Sequence, residues 1–182
     1  MLDDKNAVSG EGNPAAAIVL VGEAPGEQEA LLGRPFVGRA GRNLDGFLSV
    51  LGIPRKEIWI TNVVKFRPVK VNPRTGTLSN RPPTREEIEH SLNLLATELE
   101  AIQPKVVVTL GNVALKAVSG NWKTVIGEKH GRPEDILLHG LKFTLFPLYH
   151  PASIIYNREL TRTYDEDLGK LREWLVGAGI LQ

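Results

Sequence analysis

Three side chains offer the most chemistry in this sequence: Phe36, Asn62 and His150. Phe36 sits in Gly33-Arg34-Pro35-Phe36-Val37-Gly38. A phenylalanine held in a loop between proline and glycine is either a core plug or a platform for a flat ring, and the plug is the plainer reading. Asn62 lies in Thr61-Asn62-Val63-Val64-Lys65. Its amide supplies a donor and an acceptor that match the edge of a lactam, unless it is an ordinary turn residue. His150 stands in Tyr149-His150-Pro151. Proline fixes the next backbone torsion, so the turn is rigid. An imidazole held there is a candidate donor to developing negative charge, against the plainer structural role of a lone histidine. His90, His130 and His139 form no metal-ligand spacing with any carboxylate.

The composition narrows the chemistry further. There is no cysteine, which excludes thiol nucleophiles, disulfides, zinc fingers and cysteine-held clusters together. Gly22, Gly26 and Gly33 miss the G-x-G-x-x-G spacing of dinucleotide sites, and no Gly-Lys-Ser/Thr follows to make a P-loop. No apolar run approaches the length of a membrane span. The first 17 residues lack a basic stretch followed by an apolar one, so no secretory signal is read and a cytoplasmic location is expected.

These side chains must be positioned by a scaffold, and the chain reads as alternating strands and helices. Ala16 to Val21 and Lys105 to Leu110 are short apolar runs ending at glycine, which fit buried parallel strands. Glu57 to Val64 and Lys142 to Leu148 read as two more strands. Arg42 to Leu51 reads as a helix stopped by Gly52, and Asn112 to Val118 as another. Thr84 and Glu87 make a capping box ahead of a stripe formed by Ile88, Leu92, Leu95, Leu99 and Ile102. Thr163 and Glu166 suggest a second box, before a last helix with Tyr164, Leu168, Leu171 and Leu175 inward. Phe66 to Pro83, with four prolines, reads as a long loop. The expected fold is a three-layer α/β/α sandwich around a mostly parallel four-stranded sheet. The 182 residues are expected to form a single domain, with residues 1–15 flexible or loosely packed. In such sheets ligands bind beyond the carboxyl ends of the strands. The turns at Gly22–Gly26, Thr61–Lys65, Gly111-Asn112 and Tyr149–Pro151 should therefore meet.

Charge points toward an anionic partner. The net charge is +1, yet Arg34 to Arg85 holds eleven Lys/Arg and two acids while the remainder is acidic. A basic segment on a neutral chain suits nucleic acid, although a solvated loop region is the plainer account.

Gly22-Glu23-Ala24-Pro25-Gly26-Glu27-Gln28-Glu29 followed by Gly33 to Gly41 resembles the first motif of the uracil-DNA glycosylase superfamily, family 4 in particular. Thr61 to Lys65, Lys105 to Gly111 and Pro147 to Ala152 are similar to its later motifs, in the same order, and the likeness spans residues 16–176. The resemblance implies a monofunctional glycosylase that hydrolyses the N-glycosidic bond of uracil, or a related deaminated base, flipped out of DNA. It implies that Phe36 stacks on the base, Asn62 reads its O4/N3 edge, and His150 donates to O2 as the base departs as an anion. The chain from Gly22 to Gly26 would approach the sugar and the water, with Ala24, Pro25 and Gly26 counted among the base-binding residues and Glu23 or Glu29 orienting that water. Ile154 and Ile155, with Tyr156, would enter the duplex as a wedge. Arg34, Lys65, Ser153 and Arg158 would hold DNA. The implied partner is DNA containing a deaminated base, bound by a monomer without a membrane.

Two departures stand out. Family 4 carries four cysteines on an iron–sulfur cluster, whereas this chain has Phe66 and Ser91 at two of those places and no N-terminal pair. No metal or other cofactor is expected, and apolar packing that includes Phe66 is expected to brace the following loop. Ala24 stands where the best-known branch has a water-activating aspartate, an absence family 4 shares. The loop from Phe66 to Thr84 is longer than usual, and Lys70, Arg74 and Arg81 would make it a clamp on the DNA backbone. Rival readings are a non-catalytic nucleic-acid-binding module on the same fold and a nucleoside-level hydrolase or transferase.

Overall fold

The computed structural model describes residues 7–182. Four strands form the middle of the sheet, three of them almost wholly buried and β8 buried in its second half: β2 (Ile18–Gly22), β3 (Trp59–Asn62), β6 (Val106–Leu110) and β8 (Leu141–Leu148). They run parallel in the order β3-β2-β6-β8. Side chains alternate across them, so Leu20 and Val108 face one layer while Val19, Val21 and Val107 face the other. The first layer is α2 (Arg39–Leu51) and α7 (Leu160–Gly177), which bury Leu44, Leu48, Leu168 and Leu171. The second is α3 (Arg85–Ile102) and α4 (Asn112–Ser119), which bury Leu95, Leu99 and Leu115. Each such leucine contributes about 1.5–3 kcal/mol by leaving water. The expected mixed α/β sandwich is therefore present.

The sheet is larger than expected and not purely parallel. β1 (Glu11–Gly12) pairs antiparallel with β3, and β7 (Glu134–Leu138) pairs antiparallel with β8, giving six strands. β7 escaped the sequence reading because it is a mostly exposed edge with acidic residues. Its turn is His139-Gly140, both at positive φ, a geometry usually signalled by Asn-Gly.

Of residues 1–15, expected to be flexible or loosely packed, residues 1–6 lie outside the described residues, and residues in the remainder make defined contacts. Val8 is buried and donates its N–H to the Lys65 carbonyl, and Glu11 bridges Arg34 and Arg55. The stretch read as a loop from Phe66 to Pro83 contains a two-stranded hairpin, β4 (Val69–Val71) and β5 (Leu78–Asn80). Its prolines flank the strands rather than interrupt them, which is where proline is tolerated.

Helix caps divide the same way. Thr84 and Glu87 form the expected reciprocal box at the start of α3. The Arg81 guanidinium beside Glu87 holds that carboxyl down at about 2. Thr163 caps nothing, because α7 starts three residues earlier, at Leu160. Its inner face is as expected: Tyr164, Leu168, Leu171 and Leu175 are all buried.

Candidate active site

The parallel register places the four turns side by side. Gly22 lies opposite Asn62, and Leu110 opposite Leu148. Beyond the strands the lacing continues: Val63 N–H donates to Gly22 O, Val64 N–H to Glu23 O, and Gly111 N–H to Leu148 O. A cavity of about 300 Å³ opens there, walled by Ala24, Gly26, Glu29, Phe36, Asn62 and His150, with Asn80 and Ile155 at its edge. Residues far apart in sequence therefore share one space large enough for a flat heterocycle.

Phe36 is both plug and platform. It belongs to the apolar core at 5% exposure, and its ring still forms a cavity wall. Its φ of 52° is uncommon for a bulky residue, and such strain collects at functional sites. The Arg55 guanidinium donates to the Pro35 and Phe36 carbonyls and fixes this turn. Gly22 lets Phe36 and Asn62 approach each other. A Cβ there would lie 2.4 Å from Asn62 Oδ1 and 2.5 Å from Phe36 Cζ. Asn62 is 2% exposed, and its side-chain amide makes no hydrogen bond with any described residue. Buried amides are ordinarily paired, so this one is set to pair with something that enters the cavity.

His150 stacks beside Phe36 in the cavity wall, with ring centroids 5.9 Å apart. Burial pushes its imidazole down to about 4, against the pull of the Glu29 carboxylate. The ring is therefore neutral at neutral pH. Its Nδ1 accepts from Ala152 N–H at 3.1 Å, which leaves the proton on Nε2. The turn is held from three sides: Asn43 Nδ2 donates to Pro151 O, Ser153 N–H to His150 O, and the Tyr164 hydroxyl to Tyr149 O.

Of the two candidate glutamates, only Glu29 reaches the cavity. Its Oε1 accepts from the N–H groups of Val37 and Gly38 at 3.0 and 2.7 Å, which ties the Phe36 loop to α1 (Glu27–Leu32). Glu23 is half-buried outside the cavity wall, and burial raises its carboxyl above the ordinary range.

The sequence profile of the uracil DNA glycosylase superfamily matches residues 9–175. This chain belongs to that superfamily. It is 39% identical to a type-4 uracil-DNA glycosylase of Archaeoglobus fulgidus over 92% of this chain and 81% of that one. A type-4 enzyme of Thermotoga maritima is 41% identical over 98% and 88%. A type-5 uracil-DNA glycosylase of Pyrobaculum aerophilum is more distant, 32% identical over 80% and 66%.

The iron–sulfur cluster that family 4 implied does not fit this member of the superfamily. The sequence holds no cysteine, so the thiolates such a cluster needs are missing. Phe66 packs instead into the apolar layer under α3, and buried Ser91 donates its hydroxyl to Glu87 O.

Several expected DNA contacts are otherwise engaged. Lys65 is 8% exposed, and its Nζ donates to Glu98 Oε2 at 2.6 Å, Thr61 Oγ1 at 2.7 Å and Asn62 O at 2.8 Å. It braces the backbone under Asn62. Substituting Lys65→Met strands the Glu98 carboxylate, so we expect a stability loss of about 3 kcal/mol in urea unfolding. The salt dependence of DNA affinity should stay the same, whereas loss of a phosphate contact would lower its slope by about 1. Arg34 pairs with Glu11 at 2.7 Å and lies outside the cavity wall. Arg81 forks onto Glu87 and donates to Val69 O, so it braces the hairpin and is no free clamp.

Further expected DNA contacts lie in the turn after His150. Ser153 opens α6 (Ser153–Tyr156), Ile154 packs on the core, Ile155 lines the cavity and Arg158 is exposed. The Tyr156 side chain lies outside the described residues. Sequence reading missed Asn80 and Arg39. Asn80 enters the cavity wall from the hairpin, its Oδ1 taken by Arg67 Nε at 2.7 Å, so its NH₂ faces the site. Arg39 is an exposed cation at the cavity edge with no ion pair among the described residues. Its place within Gly33 to Gly41 was the available signal.

Proposed function

We propose that this protein is a monofunctional DNA glycosylase that removes uracil from DNA by hydrolysing its N-glycosidic bond, so initiating base excision. The observation that carries the reading is the convergence of an unpaired buried amide, an aromatic face and a neutral Nε2–H donor on one base-sized cavity. The target must leave the stack, which costs a few kcal/mol, and stacking on Phe36 returns about 1–3 kcal/mol. Asn62 donates Nδ2–H to O4 and accepts N3–H on Oδ1, a pairing that an amide makes with a lactam edge. As the C1′–N1 bond breaks, its electron pair passes to the base and charge gathers on O2, where His150 Nε2–H donates. Water then adds at the oxocarbenium carbon, and the proton it releases neutralises the departed base anion, giving free base and an abasic sugar. Glu29 and the Asn80 amide are the cavity groups that orient that water. Among the described residues no lysine lines the cavity, which fits hydrolysis rather than amine attack on the sugar. In this reading the chemistry needs no iron–sulfur cluster, the acting form is a monomer, and the location is cytoplasmic.

The decisive experiment is single-turnover release of free base from oligonucleotides carrying uracil, hypoxanthine, xanthine or a 5-substituted uracil. Uracil release by iron-free protein is expected. Tight DNA binding with no release would establish a binding module, and release only from free deoxyuridine would establish a nucleoside hydrolase.

The protonation state of His150 gives an independent check. The neutral imidazole is the donor tautomer, and its protonation breaks the bond from Ala152. The rate of uracil release should therefore stay level as pH falls through 6.5 and decline only toward about 4. An inflection near 6.5 that disappears in His150→Gln would contradict a buried neutral ring.

A further inference from the structure

The β4–β5 hairpin has features that the base pocket does not use. Its register pairs Val69 with Asn80 and Val71 with Leu78, and Lys70 with Ser79. Cross-strand partners share a face and successive residues alternate, so Asn80, Val69, Val71 and Leu78 occupy one face of the ribbon. Asn80 is in the cavity wall. The same face thus runs outward from the cavity edge to Val71 and Leu78, which are 61% and 50% exposed. An exposed valine–leucine pair gains nothing for folding where it stands.

The arm is also anchored and basic. Arg67 holds Asn80, and Arg81 ties Val69 O to Glu87 at the head of α3. Asn72 accepts from Arg74 N–H and Gly76 N–H and closes the tip. The segment 66–84 contains four Lys/Arg and no acid. Arg67 and Arg81 are in ion pairs, while Lys70 and Arg74 have none among the described residues. An apolar strip continuous with a base pocket, on a thin ribbon that carries Lys70 on its reverse face and Arg74 at its tip, is complementary to a stretch of DNA whose base has lost its stacking neighbour.

We propose that the hairpin holds the nucleotide next to the extruded one in the same strand, with Val71 and Leu78 against its uncovered base and with Lys70 and Arg74 on the phosphates. This rests on the glycosylase reading of the cavity and extends it to the flanking nucleotide. The contact is to the face of the base, so it is indifferent to sequence. It compensates part of the cost of unstacking and keeps the strand from closing again.

The test compares wild-type protein with Val71→Ser/Leu78→Ser, both positions being exposed and outside the pocket. One substrate carries uracil between normal bases, and the other carries uracil between abasic tetrahydrofuran residues. We expect about a tenfold lower kcat/KM for the variant on the first and no difference on the second. Equal rates on both, or equal loss on both, overturn the proposal, the latter by showing that the pair only supports Asn80. A catalysis-free arm uses an oligonucleotide with 2-aminopurine beside a tetrahydrofuran. Wild type should change its fluorescence and the variant should not, and identical responses overturn the proposal. Wild type inactive on both uracil substrates, yet altering 2-aminopurine fluorescence only with the pair intact, would overturn the glycosylase reading and leave the arm standing. A further variant, Lys70→Ser/Arg74→Ser, should lower the salt slope of single-strand binding by roughly 1.4, the value for two phosphate contacts. An unchanged slope would remove the cations from the proposal.

Discussion

His150→Ala is expected to slow single-turnover uracil release by about 10²–10³-fold, the usual cost of one preorganised donor at a developing oxyanion. Affinity for DNA carrying a non-cleavable uridine analogue should change by less than about threefold, because the bond is worth most when charge has moved onto O2. The neutral Nε2–H tautomer is fixed by Ala152, and the turn behind it by Asn43, Ser153 and Tyr164. The donor therefore has little reorganisation left to undergo as the bond breaks. His150→Gln, which keeps an N–H donor, should recover part of the loss. Equal loss of release and binding in both variants would mean that His150 only supports the fold.

Asn62→Ala should be at least as damaging, with kcat/KM for uracil-containing DNA falling by about 10³-fold. The substitution removes the donor and acceptor for the O4/N3 edge and leaves those base atoms dehydrated and unpaired in the cavity. Affinity for DNA with an abasic analogue should be unaffected, because no base then enters. The Lys65 brace acts on the Asn62 carbonyl, which alanine retains, so the backbone is expected to hold. Comparable loss on uracil-containing and abasic DNA would move Asn62 from recognition to structure.

Much of this site was legible from residue order. Glycine-terminated apolar runs mark the parallel strands, and parallel pairing forces their exits onto one edge. That is enough to bring Asn62 and His150 to one cavity, whereas Phe36 lies beyond α1 and its loop is held there by Glu29 and Arg55. Charge was a poorer guide. Lys65 and Arg81 lie in a basic segment and read as DNA contacts, yet both are engaged by glutamates from α3, Glu98 and Glu87. Periodicity says where a lysine is in the chain, and only packing says which carboxylate shares its space. The hairpin was obscured by its flanking prolines, and with it Asn80. Glu23 and Glu29 were indistinguishable in sequence. The cavity wall separates them, because α1 turns Glu29 back onto the amides of Val37 and Gly38.

The amino-acid order alone determined the alternating architecture, the meeting of four distant turns and the absence of any thiolate ligand. Those properties follow from local apolar runs, glycines and composition, which act over a few residues or none. Tertiary structure alone decided the proton on His150, the engagement of Lys65, Arg34 and Arg81, and the reach of Asn80 into the pocket. Each depends on desolvation or on a partner tens of residues away, and both quantities come into existence only when the chain is packed.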